Sequence, residues 1–343
     1  MDSSLLTQAC HHLGDTLRIA MQHTAQRALV VFDQDSAAAQ LVVAGYRAAL
    51  PSAEFLVFGE LPAAELIATF ATLQAEDLVI LVQTQSFRLE AFRIRVELFK
   101  RNIKVLEHAN LARLHDDAEL ARYIAALAYD TAYYRGTGGA LKKAVDAATH
   151  IEIYSGAATT LQVHGGVEPA KINLGDFSSL PNTGSLFPIG EIFTEAKDLE
   201  QVAGAVQLFG FADLLGNMHF VEQPITLIIE SGRVVDSLHP NEAFTAVLDG
   251  IRAAEGEIWV RELGFGMNRA LGPTQRVSDV GAFERQCGVH LSLGAKHGVY
   301  KKPSLRHKLA RYHVDVFPLL ERVVLDGVDV FVNGAWQPNA ISA

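Results

Sequence analysis

Between residues 27 and 114 the chain alternates short, unbroken apolar runs with longer segments whose apolar residues recur every three or four positions. The runs are "ALVVFD" (28–33), "AEFLVFG" (53–59), "DLVILVQT" (77–84) and "IKVLEH" (103–108). Between them lie "SAAAQLVVAGYRAAL" (36–50), "PAAELIATFATL" (62–73) and "FRLEAFRIRVELFKR" (87–101). Strands without polar alternates are covered on both faces, and strands alternating with helices build a parallel sheet. The pattern therefore predicts a doubly wound α/β domain, whose ligand sites tend to lie at strand carboxyl ends. No glycine fingerprint follows the first strand, which removes the usual dinucleotide site. "YRGTGGALKK" (134–143) has no strand before it and lacks a Gly-Lys-Ser/Thr ending, so it reads as a helix-to-helix linker.

Beyond residue 150 the period shortens to two. "HIEIYSG", "TTLQVHG", "AKINLGDF", "AVQLFGFADLLG", "GEIWVREL", "GVHLSLG" and "VVLDGVDVFVNGAW" are short strand patterns separated by turn residues. Ser231-Gly232 and Asn333-Gly334 mark two-residue hairpins, and "NEAFTAVLDGIRAAE" (241–255) is an interrupting helix. The expected organisation is an α/β amino-terminal domain over 1–145, followed by a β-rich α+β metal-binding domain over 146–343.

Composition narrows the function class. With 29 Lys and Arg against 39 Asp and Glu, the net charge is −10, which argues against a nucleic-acid or anionic-membrane partner. Two cysteines, Cys10 and Cys287, are too few for a disulfide framework or a thiolate zinc site. The start, "MDSSLLTQACHHLGD", lacks the basic and apolar regions of a signal peptide, and no run approaches the roughly 20 apolar residues of a membrane span. The expectation is a cytoplasmic protein. One basic cluster stands out: Lys301, Lys302, Arg306, His307, Lys308 and Arg311. It suits a substrate carboxylate, a partner subunit or a solvated helix face.

Metal-type side chains punctuate the second half. In "RYHVDV", alternation places His313 and Asp315 on one face. Glu191, Glu262, Glu284 and His290 occur at what read as strand ends, with Glu262 just before a glycine loop. Each alone also reads as an ordinary exposed acid or a satisfied histidine; Glu262 could simply pair with Arg261 at the surface. Together they form a mixed nitrogen and oxygen set, suited to zinc, manganese, cobalt or ferrous iron. The surplus of carboxylate over imidazole also suits two cations sharing an acid. Lys296 is a candidate for a substrate carboxylate or oxyanion, and His219 and Asp176 are candidates for outer contacts.

Four segments resemble, in order and spacing, the aminopeptidase T type metallopeptidases. "FPIGEIFTEA" is similar to that family's P-x-(E/G)-E-V-F-T-(A/S)-P, "RELGFGMN" to ELGIGTN, "GVHLSLG" to TIHIALG, and "HVD" to the closing H-x-D. The likeness covers about residues 170–320. It implies metal ligation by Glu191, Glu262, His290, His313 and Asp315, with Glu284 as the acid preceding the first histidine. It also implies one or two divalent ions, a peptide or small amide substrate, and a homodimer in which one amino-terminal domain faces the partner's site. In the mechanism this implies, Glu191 moves the proton and His297 or Lys296 steadies the oxyanion. The family's tyrosine seven residues after the first histidine is His297 here, with Tyr300 three further on. A relative of that family, the iron-dependent 2,5-dihydroxypyridine 5,6-dioxygenase, shares the closing H-x-D. It implies the alternative of a ring-cleaving iron centre at His290, His313 and Asp315, and a non-catalytic peptide-binding derivative is the third reading.

Overall fold

The computed structural model describes residues 3–24, 26–89, 92–156, 159–178, 184–303, 305 and 310–341. Arg306, His307 and Lys308 of the basic cluster lie outside the described residues. The chain divides into two compact units, 1–135 with 173–189, and 136–172 with 190–343.

The first unit runs α1 (Ser3–Asp15), β1 (Ala28–Phe32), α2 (Ala37–Ala49), β2 (Glu54–Val57), α3 (Ala63–Ala71), β3 (Leu78–Val82), α4 (Ile94–Phe99), β4 (Lys104–His108) and α5 (Asp117–Ala126). The strands pair in parallel in the order β2-β1-β3-β4, with Val30 opposite both Phe55 and Ile80. Every residue of β1 and β3 is buried, the physical reason their sequences carry no polar alternates. The helices start where side chains can accept orphan amides: Ser36 takes the Ala39 N–H at 3.1 Å and Asp116 that of Glu119 at 2.7 Å. Leu29, Val31, Phe70, Leu81, Ile103 and Val105 form one core cluster, each contributing about 1.5–3 kcal/mol by burial.

Two expected elements differ. Among the described residues of 87–101, only Ile94–Phe99 is helical. Phe87 instead stacks on Phe58 at 4.0 Å and Phe92 on Phe70 at 6.0 Å, so the helix-like spacing of aromatics is satisfied from outside a helix. The stretch 134–143 is not a linker. Residues 132–137 form a π-helical turn that continues into α6 (Gly138–Ala147), which buries Leu141 and Val145. That burial outweighs the poor helix propensity of its glycines.

The second unit contains α6, β5 (His150–Ser155), β6 (Thr159–His164) and β7 (Lys171–Asn173), the last ending at the unit boundary. The chain then returns to the first unit, where β8 (Gly184–Phe187) adds a fifth parallel strand beside β4. It re-enters the second through β9 (Glu191–Thr194), β10 (Val202–Ala212), β11 (Met218–Glu230), β12 (Arg233–Leu238), α7 (Glu242–Glu255), β13 (Val260–Gly266), α8 (Val280–Phe283), β14 (Gly288–Leu293), β15 (Val314–Pro318), β16 (Leu320–Leu325), β17 (Val328–Val332), β18 (Ala335–Trp336) and α9 (Pro338–Ile341). One large sheet runs in the order β18-β17-β16-β5-β6-β10-β15-β14-β13-β9-β7, with β11 and β12 extending from β10. The two anticipated hairpins are present, with positive φ at Ser231 (46°), Gly232 (76°), Asn333 (55°) and Gly334 (76°). Helix α7 is capped by Asn241, which accepts the Phe244 N–H at 2.8 Å. Among the described residues no helix is long and apolar enough to cross a membrane.

Candidate metal centre

Four adjacent strands, β9-β13-β14-β15, place the acids and histidines side by side. Glu191 pairs with Gly266, Gly264 with His290, Glu262 with Ser292, and Ser292 with Asp315. Alternation then puts Glu191, Glu262, His290 and Asp315 on one face of the sheet. Glu191 opens β9 as its first residue, whereas Glu262, His290 and Asp315 lie within their strands, and the glycines after Glu262 belong to β13 rather than to a loop. Gly264 is required by its neighbour. A β-carbon there would lie 1.9 Å from His290 Cε1 and 2.3 Å from Nε2, so the imidazole occupies the space that any side chain would take.

The side chains converge. His290 Nε2 lies 3.3 Å from Glu262 Oε1 and 3.6 Å from Glu191 Oε1. His313 Nε2 lies 3.2 Å from Asp315 Oδ1 and 4.0 Å from Glu262 Oε1. Ligand atoms of Glu191, Glu262 and His290 fall within 4.8 Å of one another, as do those of Glu284, His290 and Asp315. His290, Glu191, Glu262 and Asp315 are buried, Glu284 and His313 partly so. Although buried, His290 Nδ1 makes no hydrogen bond, and Asp315 Oδ1 has only the His313 imidazole beside it. Polar atoms left this way are costly, and a cation would satisfy them. The donor set, two imidazoles and up to four carboxylates, fits zinc, manganese, cobalt or ferrous iron.

The electrostatics follow from burial and crowding. Burial pushes the Glu191 carboxyl above its ordinary range, against the charges of Arg285 and His290. Burial pushes Glu262 the same way, but hydrogen bonds with His290 and His297 and the charge of His313 outweigh it and hold that carboxyl low. Burial opposes protonation of His290, yet contact with Glu262 and the charges of Asp315 and Glu191 raise it overall. His313 is likewise opposed by burial, but the Asp315 charge lifts it to about 9.

The supporting contacts orient these groups. His313 Nδ1 lies 3.3 Å from the Lys296 carbonyl, which fixes the proton on Nδ1 and leaves Nε2 facing the acids. The Lys296 side chain itself is exposed, and only its backbone reaches the centre. His297 belongs to the cluster, with Nε2 2.9 Å from Glu262 Oε2. The Tyr300 hydroxyl donates to the Pro169 carbonyl at 2.7 Å, and burial first of all pushes it up to about 12. Its observed role is thus to brace the loop. His219 pairs with Asp213 at 3.3 Å, and Asp176 lies in the first unit, 3.7 Å from Arg135.

Three residues that sequence reasoning missed complete the surroundings. Arg261 is not a surface partner of Glu262. It is 1% exposed and pairs with the buried Glu195 at 2.7 Å, while also donating to the carbonyls of Ala295 and Tyr300 at the ends of the His297 loop. Glu255, the last residue of α7, accepts the N–H groups of Ala295, Arg311 and Tyr312 at 2.6–2.7 Å, tying together the segments that carry His297 and His313. Arg285 lies against Glu191 and Glu284. A cavity of about 830 Å³ is bordered by Lys197, Glu200, Arg233, Glu255, Trp259 and Lys302, not by the metal-type cluster. Its arginine and Lys302 are already paired, with Glu200, Glu257, Glu168 and Glu195.

Two solved structures share this fold along nearly their whole length. The 2,5-dihydroxypyridine dioxygenase from Pseudomonas putida KT2440 superposes with a TM-score of 0.65 at 17% identity, covering 100% of both chains. Wild-type AmpT from Thermus thermophilus superposes with a TM-score of 0.59 at 14% identity, covering 96% of this chain and 99% of the other. At these identities the likeness is one of fold. No protein-family model matches the chain, and no curated protein matches it by sequence.

Proposed function

We propose that this protein is a metal-dependent hydrolase, acting on a peptide or small amide with a free amino terminus. The two solved structures reported above are enzymes, one a dioxygenase and the other an aminopeptidase. The observation that carries the hydrolytic reading is the pair of buried acids, Glu191 and Glu262, drawn in beside His290. A two-histidine, one-carboxylate iron centre is complete with His290, His313 and Asp315 and has no use for them. Glu262, His290, His313 and Asp315 are the residues to hold a divalent ion. Such an ion supplies Lewis acidity for a carbonyl and a lower pKa for water.

The chain's own groups supply the rest. Glu191, raised by burial, is suited to take a proton from water at a carboxylate oxygen and return it to the leaving amine. His297 keeps Glu262 in one orientation, and the buried face excludes bulk water from both acids. The test is hydrolysis of short peptides with free amino termini by metal-loaded protein, with and without oxygen. Metal-dependent cleavage that persists anaerobically is the expected result.

The ring-cleaving alternative has its own support in the full-length fold likeness to a dioxygenase. Turnover that strictly needs ferrous iron and oxygen, with no peptide cleavage under any metal, would establish it instead. Bound metal with neither activity would favour a peptide-binding derivative.

A further inference from the structure

Arg285 is the unusual member of this centre. It follows Glu284 at the end of α8 and is only 5% exposed. Its backbone is pinned: its carbonyl accepts the Asn268 N–H at 2.8 Å, and Gly266 packs so closely that a β-carbon would stand 2.9 Å from the Arg285 carbonyl carbon. Its guanidinium is directed at two acids of the candidate ligand set. Nη1 lies 3.4 Å from Glu191 Oε2 and contacts Glu284 Oε1. A guanidinium does not lose its proton in a protein, and a buried one requires partners. Here the partners are carboxylates that a two-cation centre would need for metal.

The two oxygens of Glu191 face different ways. Oε1 lies toward His290 Nε2 and Oε2 toward Arg285. A carboxylate bridging two ions needs both oxygens, and one is already matched to a fixed positive charge. A second divalent ion at Glu191 and Glu284 would sit against that guanidinium in a buried setting, where like charges repel far more than in water.

We infer that Arg285 serves as a built-in second cation, so that this centre holds one divalent ion per chain and Glu191 and Glu284 are kept from a second. The inference rests on the reading of the cluster as a metal centre, and its test separates the two. Full-length protein is stripped with chelator, reloaded with Mn²⁺ and desalted. Metal per chain is then measured by elemental analysis, and the bound Mn²⁺ by electron paramagnetic resonance. Wild type should carry one ion with the spectrum of isolated Mn²⁺. Arg285→Met, which keeps the apolar stem without the charge, should carry two, and Glu284→Gln added to it should return the count to one. Two ions or a spin-coupled spectrum in wild type would overturn the inference while leaving the metal centre standing, as would a single ion in Arg285→Met. No ion in wild type would remove the metal reading itself. Should Arg285→Met fail to fold by circular dichroism, the wild-type count and spectrum still decide.

Discussion

His297 Nε2 lies 2.9 Å from Glu262 Oε2, while its Nδ1 accepts the backbone N–H groups of Val299 and Tyr300 at 3.0 and 3.3 Å. The two backbone donors settle the tautomer: Nδ1 accepts, so Nε2 carries the proton, beside the carboxylate. The imidazole is thus a fixed donor that holds Glu262 in one orientation. Replacing His297 with Phe keeps a ring but removes the donor. Loss of such an orienting contact typically costs about 10–100-fold in metal affinity. Competition with a chromogenic chelator measures it, and an unchanged affinity would show that Glu262 needs no such support.

The H-x-D pair gives a stricter test of which residues bind. The double change His313→Ala with Asp315→Ala removes two donors that lie 3.2 Å apart on one strand face. Metal retention after desalting should be abolished. A double variant that holds metal as firmly as wild type would place the ion elsewhere.

Metal uptake should depend on pH through His313. Its proton is held to about 9, with burial opposing and Asp315 supporting it, against an ordinary value of 6.5. A raised histidine stabilises the metal-free fold below pH 6.5, and that contribution disappears as pH climbs through 9. Because a metal needs the neutral ring, affinity should strengthen by about tenfold per pH unit on His313's account across this window. Isothermal titration in buffers of different ionisation enthalpy would register the released proton. His313→Ala should flatten the slope.

Gly264→Ala should damage the centre from beneath. Its new methyl would meet the His290 ring at 1.9 Å, so the imidazole must move. Overpacking of this kind costs about 1–3 kcal/mol. A lower melting temperature in the metal-free protein together with weakened metal binding is expected. Wild-type values for both would mean that the strand yields instead.

The homodimer that the family resemblance implies, with one amino-terminal domain facing the partner's site, is open to a direct test. Light scattering over a dilution series should then give about 75 kDa, twice the chain's 37.3 kDa, since a two-fold pair is the commonest soluble assembly. A fully active monomer at every concentration would show that each chain encloses its own site.

Much of the first sheet was legible because strands buried on both faces must be apolar throughout, as β1 and β3 are. Segment 87–101 misled because Phe87 and Phe92 recur at helical spacing yet pack on Phe58 and Phe70 from an irregular stretch. At the centre, the residue types were readable one strand at a time. Their convergence depends on the register across β9, β13, β14 and β15, which no local pattern encodes. Arg261 did leave a signal, a charge on either side of the alternation in "WVREL", but its buried partner Glu195 is 66 residues away. Arg285 left none, since an arginine beside a glutamate on a short helix is ordinary until the fold carries Glu191 to it.

The excursion of residues 173–189 into the first sheet means that neither unit is a continuous piece of polypeptide. On the ribosome, β1 to β4 emerge long before β8, so the nascent amino-terminal unit must wait, with the edge of β4 unpaired, until residue 187 has left the tunnel. By then β5 and β6 are already outside the tunnel while β13 to β15 are not yet synthesised. The metal-binding face therefore closes late, with only β16 to β18 and α9 still to follow it, and a gene cut at any single point between the two units would leave one of them without a strand.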